Sequence, residues 1–185
     1  MNVESGATVV PVFIEIEQYS NEKWEWSSDT QTLELDRVLP EPYKYPFAYG
    51  FIPGTLGGDG DALDALIVTR SPHPIIQSMT YDVHIVGVLI MEDEQGRDEK
   101  ILGVLEKDWM EGVRDVEDIP MKSRDDIQYF FAKYKTKTPN KWSRVHGLLG
   151  REAAIEIYCK SRRNLLGAPS RRDGAAPEGS PSCTS

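Results

Sequence analysis

Cysteine is scarce in this chain of 185 residues: there are two, Cys159 and Cys183. Neither has metal-ligand spacing, and two isolated cysteines do not suggest a disulfide framework. Histidine is nearly as rare. His73, His84 and His146 are scattered and single. Each reads as a surface or core histidine, so a zinc site is not expected. No run of 18 or more apolar residues occurs, so no membrane-spanning helix is expected. The first residues, "MNVESGATVV", lack the basic segment and apolar stretch of a secretory signal. These absences together give the expectation of a cytoplasmic protein. Positive charge is also short, with 21 Lys and Arg against 30 Asp and Glu, a formal charge of −9. That balance argues against nucleic acid, whose binding rests on neutralising phosphates with Lys and Arg. An acidic protein still binds a polyanion where metal ions carry the local charge. There is no internal repeat.

What remains is an ordinary globular composition, 39% hydrophobic and 28% charged. From Gly167 onward, "GAPSRRDGAAPEGSPSCTS" is mostly Gly, Ala, Pro and Ser without apolar periodicity. Such a segment cannot bury enough surface to offset its ordering entropy. The expected organisation is therefore one domain over residues 1–166 and a disordered tail over 167–185. A body of that size hides roughly 70% of its unfolded surface, enough for a real core.

The first half of the chain reads as strands. In "VFIEIE" the apolar Ile14 and Ile16 alternate with Phe13, Glu15 and Glu17. In "KWEW" a period of two puts Lys23 and Glu25 on one face and Trp24 and Trp26 on the other. "TLELDRVL" repeats the pattern, with Leu33, Leu35 and Arg37 on one side. "YDVHIVGVLIM" is a long apolar strand with "KILGVL" as its partner, and "EDEQGRDE" makes the turn, Gly96 taking positive φ. The stretch "YKYPFAYGFIPG" reads as too irregular for a clean strand. Then the period changes. Ser123 followed by Asp126 resembles a capping box, and Ile127, Phe130, Phe131 and Tyr134 follow at helical spacing. A second helix is expected from about Arg151 to Arg163, with Ala154, Ile157 and Tyr158 inward. Strands first and helices last predict a β-rich α+β fold with a small barrel as its closure.

Within this frame "GGDGDALDALIV" crowds Asp59, Asp61 and Asp64 at the mouth of a buried strand. Like charges this close raise one another's pKa unless a positive group sits between them. An EF-hand does not account for them: counted from Asp59, position 5 is Leu63, position 6 Asp64 and position 12 Arg70. A second acidic cluster, Glu92, Asp93, Glu94, Asp98 and Glu99, falls in the turn before "KILGVL". Carboxylate clusters without His or Cys favour hard ions such as Mg²⁺ or Mn²⁺. Lys23, Arg37, Lys100 and Lys135 each lie in or beside an otherwise apolar element, where a lysine or arginine singly reads as a snorkelling surface residue.

"DGDALD" resembles the D-x-D-x-x-D motif of the soluble, family I inorganic pyrophosphatases. The likeness extends to "IEI" at 14–16, "KWE" at 23–25, "DR" at 36–37, "YPFAYGFIPGTLGGDGD" at 45–61, "VGVLIMEDEQGRDEK" at 86–100 and "FFAKYK" at 130–135. It runs over roughly residues 9 to 160, and ordered segments are far more specific than one short motif. The resemblance implies an OB-like five-stranded barrel with flanking α-helices and an active site across one barrel face. It implies Asp59, Asp64 and Asp98 as ligands of paired metals, with Asp93 and Glu15 at further metal positions. Asp61 matches the general base. Lys23, Arg37, Tyr49, Lys100, Tyr134 and Lys135 match phosphate-binding groups, and Glu25, Tyr45, Glu94 and Lys141 match supporting residues. The implied cofactor is Mg²⁺, several ions per site, with Mn²⁺ or another divalent ion as alternatives. The implied partner is pyrophosphate as substrate, without nucleic acid or membrane. A homo-oligomer is implied as well, a hexamer ahead of a dimer. Ala62 stands where the family usually has Pro, Trp24 where it has Tyr, and Ala48 where Asn is common. None of these departures removes a functional group from the implied chemistry.

Two readings compete with the hydrolase. One is a non-enzymatic OB-type module for single-stranded nucleic acid, built from a basic groove and stacking aromatics. The charge of −9 counts against it. The other is a catalytically weakened relative that only binds phosphate or metal.

Overall fold

The computed structural model describes residues 7–167. Its strands are β1 (Val9–Ile16), β2 (Glu22–Ser27), β3 (Thr32–Val38), β4 (Ala48–Phe51), β5 (Asp64–Ile67), β6 (Thr80–Asp93), the two-residue β7 (Gly96–Arg97), β8 (Lys100–Val104) and β9 (Ser143–Gly150). Three α-helices accompany them: α1 (Glu106–Met110), α2 (Met121–Lys133) and α3 (Arg151–Gly167). Strands β1, β4, β5, β8 and β6 pair in that order, and β6 returns to β1, closing a ring of five. Only the β5–β8 pair is parallel. This is the β-rich α+β, OB-like five-stranded barrel with flanking helices that the sequence led us to expect.

The long apolar run at 80–93 makes the closure possible. One strand of 14 residues is long enough to serve several partners along its length. Its first residues, Thr80–His84, pair with β1, its middle with β8, and Gly87–Asp93 with β9. Register shifts between Ile85 and Gly87 and between Ile90 and Met91 let it bend. At the β1–β4 seam the backbones approach so closely that a Cβ on Gly50 would lie 1.8 Å from the Phe13 carbonyl oxygen. Gly96 takes φ of 117° in the turn after β6, as its place in "EDEQGRDE" predicts.

Successive side chains of a strand point to opposite faces, and here both faces are buried. Ala65, Ile67, Val83, Ile85 and Ile101 join one apolar cluster, on which Ala154 and Tyr158 of α3 pack. Leu66, Val86, Leu89, Leu102 and Val104 join the other, with Trp109 of α1 and Ile127, Phe130 and Phe131 of α2. Two-sided burial explains why these strands read as continuous apolar runs.

Several boundaries differ from the sequence reading. Helix α2 begins at Met121 behind Pro120, with no side-chain cap, so Ser123 and Asp126 do not form the expected capping box. Pro120 sits at the N-cap with an extended ψ of 136°, and its missing N–H leaves no donor unpaired there. A capping box does occur earlier, between Asp115 and Asp118 of the 3-10 turn Val116–Asp118. Helix α3 runs on past Arg163 to Gly167, and Ala48–Phe51 is a strand despite its irregular surroundings. Of the tail expected over 167–185, Gly167 is the last residue of α3, and the rest, Cys183 included, lies outside the described residues. Among the described residues no helix is long and apolar enough to cross a membrane.

Candidate active site

The parallel pairing of β5 and β8 puts Asp64 beside Lys100. The Lys100 ammonium, 2% exposed, donates to Asp64 at 2.7 Å and to Asp98 at 2.5 Å. It also sits 5.6 Å from the Tyr49 ring centroid and 5.7 Å from that of Phe131. From β4 the Tyr49 hydroxyl donates to the same Asp64 carboxylate. At the far end of β6, Asp93 accepts from Lys135, just beyond α2, at 2.6 Å and from the Gln95 amide at 2.8 Å. Lys135 and Lys141 approach Glu94 at 3.4 and 3.9 Å. Strand ends, turns and a helix end therefore deliver opposite charges to one place.

The hairpin of β2 and β3 closes that place from the side. Lys23 stands opposite Arg37, yet Trp24 stands opposite Leu35, so Asp36 is the extra residue of a β-bulge. A bulge breaks the strict alternation of faces, and Asp36 and Arg37 both line the cleft. The regular alternation expected through Arg37 therefore does not hold. Asp36 accepts from Lys23 at 3.0 Å and from Arg37 at 3.3 Å, fixing both cations. Lys23 also meets Glu25. The hairpin is anchored to β1 by the Trp26 amide, which donates to Glu15 at 2.7 Å, and by the Trp26 ring against Phe13, centroids 5.2 Å apart.

The result is a cleft of about 460 Å³. Glu15, Lys23, Glu25, Arg37, Tyr49, Asp59, Asp61, Asp64, Asp93, Glu94, Asp98, Lys100, Tyr134, Lys135 and Lys141 all line it. Of the site residues implied by the resemblance, only Tyr45 does not. It is 1% exposed and packs behind the cleft on Tyr49 and Phe130, centroids 5.2 and 4.7 Å away. The two acidic clusters of the sequence meet here, but not whole. Glu92 turns away to Arg144 and His146, and Glu99 pairs with Arg97. None of the three histidines lines the cleft. Sequence reasoning missed Asp36, Trp24, Trp26, Phe51, Ala62 and Gln95 as lining residues. The signal for Asp36 was its place beside Arg37 in "DR", hidden by the assumption of unbroken alternation.

Crowding and burial set the protonation of these groups. Burial pushes Glu15 up to about 8, against the pull of the Trp26 amide and with added repulsion from Asp64 and Glu25. Burial also raises Asp59, and Asp98, Asp64 and Asp61 add to it. Asp98 stands above the ordinary range because burial and Asp64 together outweigh the Lys100 ammonium. Burial pulls Lys100 down, but Asp64 and Asp98 outweigh it and hold the ammonium well above its ordinary value. Burial raises Asp93 too, yet Lys135 and the Gln95 amide hold it below the usual carboxylate range. Burial keeps the Tyr49 and Tyr134 hydroxyls protonated as donors.

Carboxylates raised by burial, with added repulsion from one another, gain from a positive charge placed among them. The donor set is all oxygen, which suits a hard divalent cation. No group of three or more His, Cys, Asp or Glu among the described residues gathers at ion-holding spacing. The ammonium groups of Lys100 and Lys135 stand against Asp64, Asp98 and Asp93 instead.

The likeness to known proteins agrees with this inventory. A model of the inorganic pyrophosphatase family matches residues 12–165. The chain is 41% identical over 156 residues to the inorganic pyrophosphatase of Thermus thermophilus, covering 83% of this chain and 88% of that protein. It is 39% identical over 171 residues to the Helicobacter pylori protein of the same name, covering 90% and 97%. The solved Helicobacter pylori structure superposes with a TM-score of 0.81 at 37% identity, over 90% of this chain and 99% of that one. The Thermus thermophilus crystal structure gives 0.81 at 37% identity, over 90% and 95%. With its motifs, its closed five-stranded ring and this match along most of its length, the chain belongs to the family I inorganic pyrophosphatases.

Proposed function

We propose that this chain hydrolyses inorganic pyrophosphate to two phosphates with a metal-activated water, Asp61 acting as general base. One observation carries the reading: carboxylates and fixed cations from separate elements share one cleft, in a member of this family. When bound, Mg²⁺ at Asp59, Asp64 and Asp98, with further ions at Asp93 and Glu15, supplies a water acidic enough to ionise near neutrality and screens the diphosphate. Mn²⁺ or another divalent ion is the alternative.

Asp61 is suited to take the proton. It is exposed on the cleft wall, and among the described residues its carboxylate accepts no hydrogen bond. Its backbone amide donates to Asp59 at 3.1 Å, which holds the side chain's root in place. A carboxylate on the cleft wall with no competing donor is open to accept a proton, as a general base must be. Lys23, Arg37, Lys100 and Lys135, with the hydroxyls of Tyr49 and Tyr134, bind phosphate oxygens and disperse the charge of the departing group. Glu25 and Glu94 orient Lys23 and Lys135, Lys141 adds a further positive charge beside Glu94, and Tyr45 backs Tyr49.

Phosphate release from pyrophosphate, with and without Mg²⁺, tests the reading in the wild type and in Asp61→Asn. Metal-dependent release that falls by orders of magnitude in the variant is expected. Release that survives the substitution removes Asp61 as the base. No release from folded wild type leaves a protein that only binds metal or phosphate. On the family resemblance alone we further infer a cytoplasmic homo-oligomer, a hexamer rather than a dimer. Sedimentation of the purified chain reads the assembly, and a monomer or dimer would remove the hexamer.

A further inference from the structure

Thr55 does not line the cleft, yet its hydroxyl closes the loop that carries Asp59 and Asp61. Antiparallel neighbours usually exchange two backbone hydrogen bonds. At the open end of the β4–β5 pair only one is direct, from the Ile52 amide to the Leu63 carbonyl at 2.9 Å. The other is relayed. The Leu63 amide donates to the Thr55 hydroxyl at 2.9 Å, and the hydroxyl donates to the Ile52 carbonyl at 2.6 Å. A hydroxyl bonded to the carbonyl three residues back is common local structure, but the second bond spans eight residues and ties the two ends of the loop together. Thr55 is 5% exposed, so water is a poor substitute for either bond.

The next residues continue the tether. The Leu56 amide donates to the Ser161 carbonyl of α3 at 3.0 Å, and the Asn164 side chain donates to the Leu56 carbonyl at 3.2 Å. The Gly57 amide then donates to the Asp61 carbonyl at 2.7 Å. Three consecutive residues, Thr55, Leu56 and Gly57, are therefore each pinned by hydrogen bonds, to the barrel end, to α3 and to Asp61 in turn.

We propose that Thr55 is a positioning residue, its hydroxyl setting the splay of the loop and thereby the placement of Asp59 and Asp61 for divalent-cation binding and proton transfer. The inference rests on the proposed metal-dependent hydrolysis for its Mn²⁺ and kinetic arms, whereas amide exchange reads the tether without it. Misplacing a reacting group by about 1 Å costs on the order of 100-fold in rate.

The test compares Thr55→Val, which replaces the hydroxyl by a methyl of similar size, with Thr55→Ser, which keeps the hydroxyl. Three readouts are taken below the melting temperature of each variant. They are Mn²⁺ affinity by calorimetry without substrate, amide exchange at Leu63 and Gly57, and kcat and KM for pyrophosphate. Thr55→Val is expected to speed exchange at both amides, weaken Mn²⁺ binding about tenfold, and lower kcat about 10- to 100-fold with KM changed less. Thr55→Ser is expected to restore all three. If the valine variant does not fold, Thr55→Ala removes the hydroxyl without setting a methyl against the Ile52 carbonyl and carries the same readouts. A hydroxyl-free variant that loses thermal stability but keeps wild-type Mn²⁺ affinity and kcat overturns the proposal. If the wild type binds Mn²⁺ but does not cleave pyrophosphate, the hydrolase reading fails while exchange and Mn²⁺ affinity still decide the role of Thr55.

Discussion

Neighbouring carboxylates in the cleft are driven in opposite directions by what surrounds them. Asp93 and Asp36 have an ammonium at hydrogen-bond distance and stand below the ordinary range, although burial opposes this. Glu15 has only a backbone amide as donor, and burial carries it to about 8. In the metal-free protein the folded pKa of Glu15 thus exceeds its ordinary value of 4.5. Between those values the folded state holds a proton that the unfolded chain has released, so stability falls as pH rises through that window. The slope contributed by this one group is at most about 1.4 kcal/mol per pH unit. Chemical denaturation in chelator at pH 5, 6.5 and 8 should show that fall, and Glu15→Gln, which keeps an acceptor for Trp26, should flatten it. A variant with the wild-type slope would mean that Glu15 ionises normally in the folded protein.

At the scale of elements, two kinds of packing constrain the site. The ring closes through β1, which lies between β4 and β6. At the β4 seam the Phe13 carbonyl occupies the space where a side chain on Gly50 would begin. Gly50→Ala should therefore cost about 3 kcal/mol or more, or prevent folding, because backbone cannot yield as a flexible side chain can. Urea unfolding measures it, and an unchanged midpoint would show that the seam is looser than described. The hairpin of β2 and β3 is held differently, by one hydrogen bond and an edge-on aromatic contact to β1. Here the sequence was only partly legible. Alternation in "KWEW" and "TLELDRVL" locates both strands, but a bulge depends on cross-strand register, which period-two patterning does not encode. The apolar stripe Ile127, Phe130 and Phe131 likewise locates α2, whereas its start depends on Pro120 rather than on Ser123.

At the scale of the whole molecule, a net charge of −9 is concentrated in part on one cleft whose carboxylates repel one another. A divalent cation that binds only the folded state should raise stability by mass action, about 2.7 kcal/mol at 100 times its dissociation constant. Melting temperature measured from excess chelator to saturating Mg²⁺ should climb with the ion. A flat response would remove the cation from the proposed function. By itself the sequence determined the strand and helix periods, the apolar runs that become two-sided strands, and the inventory of acids and bases in family order. These are local properties, set by residue type within a few positions. Only the tertiary structure decided that β9 and the five-residue α1 form at all, since neither carries a strong period of its own and each is stabilised by the surface it covers. It also decided which acids face the cleft. Asp93 and Glu92 are adjacent in sequence but point to opposite sides of β6, and Lys100 reaches Asp64 because β5 and β8 run parallel in that register. Such pairings join residues far apart along the chain, so they are fixed when the ring closes and not before.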